Sequence, residues 1–115
     1  MKRTVTIEIS GLEPSMKRFA KAWRTGRRVG NVLSFESPEV LFRRITPKRW
    51  TVLTALQSSG PQSVRELARQ VQRDVKNVHG DVQALIEIGL IERKGATVRV
   101  PFDEIRAAFR LTRAA

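Results

Sequence analysis

From Thr4 to Ile9 the chain alternates polar and apolar side chains (Thr4, Val5, Thr6, Ile7, Glu8, Ile9), the period of two that marks a strand with one buried face. After Gly11 and Pro14 the period changes. Met16, Phe19, Ala20 and Trp23 recur at the spacing of a helical stripe, with Lys17, Arg18, Lys21 and Arg24 on the other face. Gly26 stops that helix, Gly30-Asn31 marks a turn, and Val32–Phe35 reads as a second short strand. Residues 1–36 are therefore expected to form a strand-helix-strand extension to a domain comprising residues 37–115. The extension is too small to bury both sides of its strands, so it must pack on the rest of the chain or on a second copy. The expectation is a homodimer contact through Val5, Ile7, Ile9, Met16, Phe19 and Trp23.

The remainder is predominantly helical until residue 88. Ser37-Pro38 and Thr46-Pro47 each pair a capping hydroxyl with proline at the first helical position. The first opens a short helix through Val40, Leu41 and Phe42 to about Arg44. The second opens a helix over Thr46–Ser58, with Trp50, Leu53 and Leu56 expected inward and Gly60-Pro61 ending it. Ser63 followed three residues later by Glu66 has the spacing of a capping box before a third helix, Ser63–Val71. Its apolar side holds Val64, Leu67, Ala68 and Val71. Only Gln72-Arg73-Asp74 separates it from the next helix, Asp74–Ile88, so the two must meet at a steep angle.

Wound at 100° per residue, Val75, Val78, Val82, Leu85 and Ile86 of this last helix fall in one arc. Lys76, Asn77, Gly80, Gln83, Ala84 and Glu87 fall opposite, and His79 falls on the flank of the apolar arc, where a packing role is expected. Lysine can hydrogen-bond guanine, and asparagine or glutamine adenine, so Lys76, Asn77 and Gln83 are candidate base readers. Gly80 joins them as a place where the helix backbone can approach DNA closely. After Gly89, two β-prone runs, Leu90–Lys94 and Thr97–Val100, flank Gly95-Ala96 and read as a hairpin. Arg93, Lys94 and Arg99 crowd it, and Arg65, Arg69 and Arg73 flank the preceding helix. With Ser63, these are the candidate phosphate contacts. Helix, helix, turn, helix and basic hairpin, in that order, make an α+β fold of the winged helix-turn-helix kind, with the helix at 74–88 in a major groove and the wing at 90–100 along the phosphates.

Charge sharpens this reading. The 115 residues carry a formal charge of +11. Eight Lys/Arg against two Glu in residues 1–30, and six against two acids in residues 47–79, supply nearly all of it. A basic balance alone shows only affinity for polyanions, but here it coincides with a docking motif. There is no cysteine, so disulfides and thiolate metal sites are excluded. One histidine, no tyrosine, no glycine-rich phosphate loop and no spaced pair of carboxylates leave little for catalysis. No enzyme activity, metal or cofactor is expected. No apolar run approaches the roughly 20 residues that span a bilayer, and the N-terminus lacks a signal-peptide core, so a cytoplasmic protein without membrane contact is expected.

The motifs TPKRW, SVRELAR, RDVKNVH, DVQAL, IGLIERK and VRVPFDEI, within Ile45–Phe102 and just beyond it, resemble the MarR-like predicted transcriptional regulators of bacteria and archaea, some of them described as antitoxins. RDVKNVH is the most specific of them; GLIER is common to many winged-helix regulators. The resemblance implies a winged helix that binds double-stranded DNA as a dimer with the helix from Asp74 as reader; the mechanism expected of such a dimer is repression by occluding its operator. Where that family's pattern has an arginine after the histidine, this chain has Gly80. Two alternatives accompany the reading. One is an antitoxin that represses its own operon and holds a small toxin through the basic N-terminal helix or Pro101–Ala115, a segment whose pattern (Phe102, Ile105, Phe109) is compatible with helix. The other is an RNA-binding winged helix, against which the seven aromatics speak, because they mostly fall on apolar stripes rather than forming stacking platforms.

Overall fold

A computed structural model describes residues 2–9 and 27–109. In chain order these form β1 (Thr4–Ile9), β2 (Arg27–Val29), β3 (Val32–Phe35), α1 (Pro38–Arg44), α2 (Pro47–Ser59), α3 (Val64–Val71), α4 (Val75–Glu87), β4 (Glu92–Lys94), β5 (Thr97–Arg99) and β6 (Glu104–Ala107). The architecture is α+β: four helices among the described residues, a four-stranded sheet and a separate hairpin.

The larger sheet has the order β2-β3-β1-β6. β1 lies parallel to β3, with Ile7 opposite Leu33, and parallel to β6, with Val5 opposite Ile105. β2 closes the far edge antiparallel to β3. Two of these strands differ from expectation. β2 is three residues long and shows no alternating signature. β6 replaces the helix-compatible reading of Pro101–Ala115 over Glu104–Ala107, because the free edge of β1 offers that segment a ladder of backbone partners. Asp103 N–H and Glu104 N–H both donate to the Arg3 carbonyl, at 2.8 and 3.1 Å, and Arg3 N–H donates to Asp103 Oδ2 at 2.7 Å. Residues 1–36 and 37–115 thus share one sheet.

They also share one core. Val5, Ile7, Leu33 and Phe35 belong to the same buried cluster as Leu41, Val52, Leu56, Leu67, Val82 and Leu85. The N-terminal strands therefore pack on their own chain. Val5 and Ile7, expected at a dimer contact, are fully buried inside the protomer and have no side-chain area left for a partner. Ile9 is half-buried against the same cluster. Met16, Phe19 and Trp23, with the expected N-terminal helix, lie outside the described residues.

The helix starts follow their caps. Ser37, Thr46 and Ser63 hydroxyls accept from the amides of Val40, Arg49 and Glu66, and Asp74 Oδ1 accepts from Lys76 N–H at 2.7 Å. Of the hairpin strands, β4 starts two residues later than expected and β5 ends one residue earlier. Leu90 and Ile91 are buried, but their amides donate to the Leu85 carbonyl, at 3.0 and 3.3 Å, and so close the end of α4 instead of entering β4. This closure needs Gly89 at φ +86°, where a side chain would be strained and a Cβ would stand 2.7 Å from Arg28 Nε. Phe102 is held between the Arg3 and Arg28 guanidinium groups, 5.2 and 5.3 Å from its ring centre. The close approach of Arg28 to Gly89 brings β2 against the end of α4.

Candidate nucleic-acid interface

α3 and α4 are joined by Gln72-Arg73-Asp74, and the bend between them is made at Gln72, which adopts the left-handed conformation (φ 56°, ψ 48°). Its amide and that of Arg73 donate back to α3, the latter to the Ala68 carbonyl at 3.0 Å. Ser63 and Glu66 form the reciprocal box at the other end of α3. The Glu66 carboxyl is held below its ordinary pKa, first by the Ser63 amide and then by the Ser63 hydroxyl. Glu39, at the start of α1, is lowered likewise by its own backbone amide and by Ser37. Both carboxylates therefore also face the positive end of a helix dipole.

On α4 the expected two-sidedness is present, with corrections. Val78, Val82 and Leu85 are fully buried, while Lys76, Asn77, Gly80 and Glu87 are exposed. Gln83 and Ala84 are half-buried. Val75, expected inward, is 43% exposed. At 100° per residue it points roughly 50° away from the mean direction of the three buried side chains. His79, expected to pack, is also exposed, being roughly 90° from that direction. A Cβ on Gly80 would meet nothing within 4 Å, so no neighbour inside the protein requires glycine there.

The candidate phosphate contacts divide into two groups. Arg65 and Arg69 on α3, and Arg93 and Lys94 on β4, are exposed. The other three are already engaged. Ser63 serves the capping box. Arg99 pairs across the hairpin with Glu92, its Nε 2.6 Å from Oε1. Arg73 points inward, Nη1 lying 2.8 Å from Asp81 Oδ2. That last contact is a charge contact whose angles miss those of a hydrogen bond, since neither atom has a hydrogen-bond partner. Burial against α4, not solvent, sets its direction.

Asp81 was not singled out among the sequence candidates. Its other oxygen, Oδ1, accepts from Arg49 Nε at 3.1 Å, and Arg49 Nη1 donates to the Arg44 carbonyl at 2.9 Å. Arg49 takes the inward place that the pattern assigned to Trp50, which is 44% exposed. The helical wheel contains the clue. Arg49 points between the directions of Val52, Leu53 and Leu56, whereas Trp50 points roughly 110° from their mean.

Trp50 has company. Phe42 is 63% exposed and Phe109 44% exposed, so three of the five aromatics among the described residues stand outside the core, contrary to the stripe reading. With Ile7, Leu41, Ile45 and Ala107 they line an open apolar groove of about 610 Å³ between the sheet and α1–α2. Among the described residues no three His, Cys, Asp or Glu side chains are grouped to hold a metal ion, and no helix is long and apolar enough to cross a membrane.

The fold and this surface define an α+β protein with a two-helix bend, a polar-faced helix and a basic hairpin in succession. The chain belongs to the HVO_A0114 family, whose model matches residues 44–107, from the end of α1 through β6 and more than half of the chain. No curated protein and no solved structure matches it.

Proposed function

We propose that the chain is a winged helix-turn-helix protein, similar to the MarR-like regulators, that binds double-stranded DNA in a sequence-specific manner and regulates transcription by occluding an operator. In this reading α4 enters the major groove and the β4–β5 hairpin is the wing. One observation carries it: Lys76, Asn77 and Gly80 are exposed on the first turns of α4 while Val78, Val82 and Leu85 are buried beneath them. A short polar arc at the start of a helix, free of core duties, is what hydrogen bonding to base edges requires. Hairpin support is present too. Gln62, just ahead of α3, exchanges backbone hydrogen bonds with Val98 of β5 at 3.2 and 2.9 Å, so the hairpin is fastened to the start of α3.

Arg65, Arg69, Arg93 and Lys94 supply four phosphate contacts per protomer. A dimer placing two reading helices about 34–36 Å apart would neutralise eight phosphates and lose affinity with a log–log salt slope of about −7. The test is selection of bound duplexes from a random pool at one stated salt concentration. An enriched inverted repeat is expected. Replacing Lys76 or Asn77 by alanine should then cost about 1–3 kcal/mol on the enriched duplex and much less on random DNA. A pool that never departs from random composition overturns the reading.

A second reading has one observation in its favour. Exposed Phe42, Trp50 and Phe109 supply the aromatic faces on which unpaired bases of RNA stack. Competition of a single-stranded RNA against the duplex separates the two: displacement that is lost in Trp50→Ala but kept in Asn77→Ala favours RNA.

A further inference from the structure

We infer that Asp81 is a positioning residue for α4: its carboxylate, held by Arg49 on one oxygen and Arg73 on the other, fixes the rotation at which Lys76 and Asn77 face a duplex. The inference rests on the proposed reading of α4 and adds the device that aims it.

The geometry gives the carboxylate two arms in different parts of the fold. Oδ1 accepts from Arg49 Nε at 3.1 Å, which ties α4 to α2. Oδ2 lies 2.8 Å from Arg73 Nη1, which ties α4 to the bend that precedes it. Arg49 continues the chain of contacts, donating to the Arg44 carbonyl at the end of α1 at 2.9 Å. All three side chains are largely withdrawn from water, 14% exposed for Asp81, 23% for Arg49 and 21% for Arg73.

A withdrawn ion cluster is a poor source of stability, because desolvation offsets most of the attraction and apolar side chains of similar volume do as well. What it supplies is direction. The valine and leucine contacts beneath α4 are non-directional, and an apolar arc alone tolerates rotation about the helix axis. A carboxylate held between two guanidinium groups does not, since the Arg49 hydrogen bond to Oδ1 demands both distance and angle and the Arg73 charge contact holds Oδ2 at close range. Asp81 is one turn beyond Asn77 on the same side of α4, so a rotation prevented at Asp81 is prevented at Asn77. One anion between two cations also makes Asp81 the member without which the other two repel.

Two variants and two readouts test this. Asp81→Asn removes the charge and keeps the shape. The triple variant Arg49→Leu/Arg73→Met/Asp81→Leu removes the cluster without leaving an unpaired charge, and decides the matter if Asp81→Asn fails to fold. The first readout is the ratio of affinities for an enriched duplex and a random one, with thermal unfolding followed on the same samples. The ratio should fall about tenfold, the discrimination of one misplaced base contact, in a variant that unfolds cooperatively and still binds random DNA within about threefold of the native chain. The second readout needs no DNA. The chain has no cysteine, so Ser58→Cys on α2 and Glu87→Cys on α4 provide two unique spin-label sites. Their distance distribution should be single and narrow in the native background and broadened or shifted in the triple variant. A folded triple variant with the native affinity ratio and an unchanged distance distribution overturns the inference. If the native chain enriches no duplex, the proposed function falls while the spin-label distances still decide whether Asp81 sets the attitude of α4.

Discussion

Gln72 is the only non-glycine residue with positive φ among the described residues, and it makes the bend on which the presentation of α4 depends. An L-residue in the left-handed region brings its Cβ close to the following carbonyl and costs about 1–2 kcal/mol. Glycine avoids that cost, but it also widens the unfolded ensemble, which returns about 0.4–1 kcal/mol. The two capping bonds at this bend, from the amides of Gln72 and Arg73 to carbonyls of α3, are backbone bonds and survive any non-proline replacement. The Gln72 side chain is exposed. Gln72→Gly should therefore stabilise the chain by about 0.5–1 kcal/mol, the difference between the two effects. For a domain of this size that is a rise in Tm of about 2–5 °C. Gln72→Val should move the other way by about 1 kcal/mol, because a β-branched residue tolerates the left-handed region least. Urea and thermal denaturation of the three proteins give the comparison. A glycine variant less stable than the native chain, or a valine variant equal to it, would mean that Gln72 is not left-handed and that the angle between α3 and α4 is set by something else.

Gly80→Ala separates folding from binding at a single atom: the new Cβ meets nothing, so the helix-interior position should gain about 0.5–1 kcal/mol of stability, while duplex affinity falls if the α4 backbone approaches DNA there; equal affinity in a more stable protein would remove Gly80 from the interface. Arg93→Ala should weaken binding to every duplex alike and flatten the salt slope by about one unit, read from affinities at four or five salt concentrations; loss confined to one sequence would contradict a phosphate role. Ser63→Ala should cost about 1 kcal/mol by removing the α3 cap. Glu66 has its pKa lowered in the folded chain, so its contribution is present above its ordinary carboxylate pKa and is lost as pH falls through the folded value. Acid unfolding curves of native chain and Glu66→Gln should converge at low pH and separate towards neutrality; a constant gap across the acid range would exclude ionisation of Glu66 as the source.

The parts of this molecule written in short-range chemistry are legible in the sequence. The four caps, the capping box at Ser63 and the apolar arc of α4 depend on residues within one or two turns of each other; the caps and the box are present, and of the arc Val78, Val82 and Leu85 are buried while Val75 is exposed. The parts that depend on distant partners are not. β6 becomes a strand because β1, about a hundred positions earlier, has a free parallel edge, and nothing in EIRA states that preference. Arg73 looked like a phosphate ligand because arginines beside a reading helix usually are, and only the approach of Asp81 turns it inward.

Arg49 and Trp50 show how the same blindness bears on the candidate site. Hydrophobicity ranks the tryptophan as the core residue and the arginine as the surface one, yet the phase of α2 reverses them, and Asp81, 32 positions away, is the partner that receives the inward arginine. The reversal leaves the helical layer with a polar joint where an apolar pattern would have placed a large ring. It also leaves that ring on the surface beside Phe42 and Phe109. Both consequences follow from the phase of α2, and the carboxylate at position 81 supplies the partner that an inward arginine requires. If that carboxylate aims α4, the aimed polar helix depends on the ion cluster, while the exposed aromatic groove depends on the phase of α2 and lies outside the cluster. An apolar residue at position 49 with a neutral one at position 81 should then alter the duplex preference while Trp50 and the groove stay in place.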